Sequence, residues 1–174
     1  MSRLQINLTM ISCLTLFGCN SNKDSGMDEE YTLPQSGQWT VVTSGWTNDD
    51  CNAENNLTGI SSIVIADVGE SNFSLTFYDG SMRIGENSST CTYTSDDVYD
   101  CEDFDHTISY DDIDATINMI GVSFSLEMTS ETTTTGIGDL VLSCSGADCG
   151  FVAASTTTGE LPCGTTINFT ASAD

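Results

Sequence analysis

Residues 121–130, "GVSFSLEMTS", alternate apolar and polar side chains without a break: Val122, Phe124, Leu126 and Met128 against Ser123, Ser125, Glu127 and Thr129. A β-strand turns successive side chains to opposite faces, so a period of two predicts a half-buried antiparallel strand. The stretch "NFSLTFYDG" (72–80) repeats the pattern with Phe73, Leu75 and Phe77, and "TINFTAS" (166–172) repeats it with Ile167, Phe169 and Ala171. Shorter candidates occupy 38–44, 61–66, 81–85, 91–94, 105–110, 115–120, 140–143 and 151–155. Turn formers separate them, among them Asp79-Gly80, Gly85-Glu86-Asn87, Asp111-Asp112 and Gly146-Ala147-Asp148. No long stretch carries apolar residues at helical spacing. The expectation is an all-β domain over 36–174, with eight to eleven antiparallel strands whose edges must be hidden by closing into a barrel or stacking into a β-sandwich.

The start of the chain reads differently. Arg3 precedes a mostly apolar, uncharged run from Leu4 to Phe17, which suits the hydrophobic region of a signal peptide and is short for a bilayer span. It ends in Leu16-Phe17-Gly18-Cys19. This resembles the lipobox of bacterial lipoprotein precursors, in which the cysteine sulfur is diacylglycerated and a dedicated peptidase cuts before it. The resemblance implies a lipoprotein signal peptide over 1–18, lipid attachment at Cys19, and a bilayer as partner through that acylated residue. Several acyl chains at ~0.8 kcal/mol per buried methylene make a stable anchor. Asn20 after the cysteine fits sorting to an outer membrane or the cell surface rather than the inner membrane. The polar residues that follow, with Asp24, Asp28, Glu29 and Glu30, predict an acidic flexible tether over 19–35.

The 174 residues hold 26 Asp and Glu against three Lys and Arg, a formal charge of −23. Beyond residue 18 only Lys23 and Arg83 are cationic. Such a surface repels nucleic acid and leaves cationic or divalent-metal partners as the electrostatically favoured ones. Setting aside Cys13 and Cys19, six cysteines remain: Cys51, Cys91, Cys101, Cys144, Cys149 and Cys163. An even set in an exported domain predicts disulfides, and six cysteines allow 15 pairings. Proximity favours Cys91–Cys101, Cys144–Cys149 and Cys51–Cys163, with Cys149–Cys163 as the rival. The absence of any C-x-x-C pair argues against zinc.

Gly37-Gln38-Trp39 opens the first strand. A G-x-W opening resembles the start of lipocalin- and avidin-like (calycin) barrels, and it implies a barrel carrying a small apolar ligand. Lipocalins set a late-strand Arg against that Trp, whereas the last strands here have no Arg.

Chemistry could reside in "SDDVYDCEDFDHTISYDDID" (95–114), where Asp103, Asp105, Asp112 and Asp114 are calcium-ligand candidates should two loops bring them together. No EF-hand template is present. His106, the one histidine, lies beside Asp105, which could orient and charge it. No nucleophile elbow, zincin helix or Cys–His signature accompanies it, so no enzymatic activity is expected. A carboxylate-based hydrolase is the remaining enzymatic alternative. Trp39, Trp46, Tyr78, Tyr93, Tyr99 and Tyr110 could stack on sugars or fill a core.

Overall fold

The structure, a computed structural model, describes residues 31–56, 59–156 and 160–174. It is all-β: β1 (Gly37–Thr47), β2 (Ser62–Ala66), β3 (Asn72–Asp79), β4 (Met82–Ser95), β5 (Val98–Cys101), β6 (Phe104–Ser109), β7 (Thr116–Ser130), β8 (Thr133–Ser145) and β9 (Cys163–Ala173). Two helices interrupt them, α1 (Ala53–Asn56) and α2 (Cys149–Thr156). Apart from β5 and β6, which do not pair with each other, each strand pairs antiparallel with the next, and β9 pairs back onto β1. β5 and β6 lie end to end along β7 in one register, Asp100 opposite Ser125 and Phe104 opposite Gly121. They count as one wall, and the sheet closes as an eight-stranded antiparallel barrel in which β6 is paired with β7.

The alternating residues fill the interior. Trp39, Ile63, Ile65, Phe73, Leu75, Phe77, Phe124, Leu126, Ile167 and Phe169 are all buried. Rings of Phe77, Phe104 and Phe124 form a triangle with centroids 4.9–5.5 Å apart. Glycines on β7 and β8 make room for them. A β-carbon at Gly121 would fall within the Phe104 ring, at Gly136 within Phe169, and at Gly138 within Phe124. Aromatic rings laid over glycines are a known means of filling a curved sheet.

The six cysteines form Cys51–Cys163, Cys91–Cys101 and Cys144–Cys149. Cys91 and Cys101 are direct cross-strand partners on β4 and β5. Cys51–Cys163 joins the β1–β2 connection to the start of β9.

Three expectations are corrected. Segment 151–155 is helix rather than strand: Phe151 and Val152 donate to the Asp148 carbonyl, and Val152 buries itself beside Ala115 and Ile117. Candidates 81–85 and 91–94 merge in β4, and β8 extends back through the threonine run to Thr133. Val122 leaves the parity of Phe124, because Ser123 takes a left-handed conformation (φ 53°) in a bulge and turns Val122 to the outer face opposite Asp139. Residues 31–35 pack on the barrel, and one compact unit covers Tyr31–Asp174. Cys19 and the rest of 1–30 lie outside the described residues.

Candidate functional site

At the end of the barrel that carries the β4–β5 and β7–β8 turns, residues 31–35 form a strap. Thr32 donates its amide to the Asp97 carboxylate (2.6 Å) and accepts the Tyr99 hydroxyl (2.9 Å) at its carbonyl. Tyr31 stacks on Tyr93, centroids 4.6 Å apart, and Gln35 donates its amide to the Glu131 carbonyl. Trp39 Nε1 donates to the Gln35 carbonyl at 2.9 Å. The Trp of the G-x-W opening is therefore satisfied by the chain's own backbone. Arg83 sits toward the opposite end, beside the β3–β4 turn, with its guanidinium donating to Ser88. Asp96 and Asp97 both take positive φ (50° and 62°), the conformation a two-residue hairpin turn needs and one that L-residues adopt at some cost. That turn brings the Asp97 carboxylate to the strap.

Tyr99 is fully buried, and its phenol is pushed up to about 12 by burial first, then by Tyr31, Asp97 and Tyr93 nearby. A raised phenol pKa adds stability below the unfolded value near 10, and that stability is lost as pH rises through about 12. Spectrophotometric titration of the five tyrosines should therefore show one phenol ionising late, near pH 12, with strap and barrel loosening together. Absence of a phenol step near pH 12 would refute the buried Tyr99–Thr32 contact.

The opposite end is closed by α1, α2 and the bridges Cys51–Cys163 and Cys144–Cys149. Asp49 caps α1, accepting the Ala53 amide at 2.7 Å and the Glu54 amide at 3.1 Å. Burial opposes ionisation of Asp49, but these backbone donors outweigh it and hold the carboxyl below its usual range.

The calcium candidates are not brought together. Asp103 lies between β5 and β6 and Asp105 at the start of β6, whereas Asp112 and Asp114 lie in the turn after it. From Asp105 to the last residue of β6 the strand alone extends about 13 Å. Asp114 is engaged elsewhere. Its amide donates to the Asp148 carboxylate (2.9 Å) and its carboxylate accepts the Ala147 amide (3.1 Å), stapling the β6–β7 turn to the loop before α2. Gly146 (φ 118°) is required there, since a β-carbon would strike the Asp114 carbonyl. Among the described residues, no three His, Cys, Asp or Glu side chains gather as a metal site would require. His106 faces Met119, and strand alternation sends Asp105 to the other face, so Asp105 does not orient it. His106 Nε2 and the buried Ser89 hydroxyl have no hydrogen-bond partner. Trp39 and Tyr99 belong to the interior, which removes these two from any surface platform for sugars, whereas Tyr110 is exposed.

The feature that sequence reading misses is on the outside. Two outward-facing cross-strand rows adjoin. One runs Gly45, Asn168, Ile137, Ser125 and the next runs Thr170, Thr135, Glu127, Val98. They floor an open trough of about 550 Å³ across β1, β9, β8, β7 and β5. The small residues make it concave. Pairing partners four strands apart in space cannot be read from a linear string, although Asn168 and Thr170 alternate visibly with Ile167, Phe169 and Ala171 in β9.

No family model matches the chain, and no curated protein or solved structure shows significant similarity to it.

Proposed function

We propose that the chain is an exported lipoprotein, anchored through acylated Cys19, whose barrel acts in binding through its outer surface rather than by enclosing a ligand. One observation carries the second half of this reading. The axis of the barrel is occupied by Trp39, Phe73, Phe77, Tyr99 and Phe124, each at most 1% exposed, and a calycin-type carrier keeps that space open for cargo. The closed, strapped barrel and its three disulfides support an oxidising, extracytoplasmic setting. The lipobox Leu16-Phe17-Gly18-Cys19 supports the anchor.

Metabolic labelling with an alkyne fatty acid tests the anchor: the wild-type chain should take the label, and Cys19→Ala should lose it entirely. Label retained by Cys19→Ala would refute attachment at that sulfur. Titration of the protein with a neutral fluorescent apolar probe tests the filled interior. Saturable one-to-one uptake would favour the carrier instead.

A further inference from the structure

Charge is segregated over this barrel. Five neighbouring strands, β2, β1, β9, β8 and β7, contain two carboxylates between them, Glu127 and Asp139, in a chain with 26. Asp139 is held by the Thr166 hydroxyl at 2.6 Å. Among the described residues, the other acids crowd the loops at both ends and the β4–β5–β6 side, where Glu86, Asp100, Glu102, Asp103 and Asp105 lie. On the neutral wall, apolar side chains stand in water: Val42 is 64% and Ile137 47% exposed. Val42 is the extra residue of a bulge in β1, between the pairs Val41–Ala171 and Thr43–Thr170, so it has no cross-strand partner and rises at the rim of the trough that Thr170 lines.

We infer that this wall is a self-association surface, on which each of two copies of the chain seats Val42 in the trough of the other. Electrostatics selects the occupant. A cationic partner gains most at the acidic ends and the β4–β6 side, and an anionic partner is repelled by the whole molecule. Two copies of so acidic a chain approach most easily where carboxylates are fewest, which is this wall, with Glu127 in the trough and Asp139 held by Thr166 as its acids. The geometry permits it: knob and hole are neighbours on one face, two strand spacings across and about two and a half residues along, or ~13 Å from Val42 to Ile137, so a single two-fold axis satisfies both contacts at once. The contact is short-ranged and apolar, and the repulsion opposing it is long-ranged and screened by salt.

The association should therefore tighten with salt, the reverse of a contact built on opposite charges. The full chain in a mild non-ionic detergent, sedimented at matched detergent density, should be largely monomeric at ~0.01 M salt, where screening extends ~30 Å. It should form dimers at ~0.15 M, where screening extends ~8 Å, with a dissociation constant at least about tenfold lower. Val42→Asp and Ile137→Asp should each remove the dimer, and Val42→Ile should keep it. Both Asp variants alter exposed side chains, and retention of the three bridges on a mass map checks that they fold. A monomer at both salts overturns the inference. So does a dimer that both Asp variants leave intact, which would place association in the lipid or leader. Protection of the Ile137 face only on adding a neutral glycan or another protein would assign the wall to that partner and overturn self-association.

Discussion

Replacing Cys51 and Cys163 together by alanine is expected to cost about 4–5 kcal/mol of unfolding free energy, more than removing either other bridge. The bond spans 112 residues of sequence, so its loss frees nearly the whole barrel in the unfolded chain. By the same chain-entropy reasoning, Cys91–Cys101, spanning 10, should cost about 3 kcal/mol, and Cys144–Cys149, spanning 5, about 2. Native contacts point the same way. Cys51 and Cys163 are buried, and beside them the Asp50 amide donates to the Gly164 carbonyl while Asp49 caps α1. Without the bridge, the β1–β2 connection loses its covalent hold on β9, and this end of the barrel should open first. Urea denaturation of the three double-alanine variants gives the ranking, and hydrogen exchange at Asp50 and Ala53 reports the local opening. Equal losses for all three bridges would show that loop closure does not govern their contribution.

The barrel was legible in the sequence because a closed sheet has one inside and one outside, and alternation records that division residue by residue. Phe73, Leu75, Phe77, Ile167 and Phe169 all point inward as their parity predicts. Alternation fails where the backbone departs from the pleat, and Val122 shows it: one left-handed residue at Ser123 inverts the parity upstream. It also fails for short apolar runs, where α2 and a strand read alike until the Asp148 carbonyl and the buried Val152 decide between them. The strap was hidden for a different reason. Tyr31, Thr32 and Gln35 act through backbone groups and one stacked ring, and neither leaves a periodic trace. The candidate acids show the limit of local density: strand β6 holds Asp105 away from Asp112, so closeness in sequence there means distance in space. The outer trough needed the register of five strands, information that belongs to pairing and not to any one segment.

The interior glycines carry the other large effect. A β-carbon added at Gly138 would overlap the Phe124 ring far inside van der Waals contact. That ring cannot simply swing away, because Phe77 and Phe104 hold it from the other side at centroid distances of 4.9 and 5.5 Å. Gly138→Ala should therefore destabilise by about 1–3 kcal/mol, although alanine is ordinarily tolerated in a strand better than glycine. Phe124→Ala should cost about 3–5 kcal/mol, since it empties the centre of the aromatic triangle. The two changes are coupled through one volume: the methyl added at 138 occupies space that the truncated ring vacates. Their combination should be less damaging than the sum of the single losses by at least about 1 kcal/mol, measured as a double-mutant cycle in urea. Strict additivity would mean that Gly138 is there for its backbone freedom and not for the ring above it. With a negative φ at that position, as every glycine of β8's interior face has, backbone freedom gives no reason for glycine, and the ring remains the physical cause.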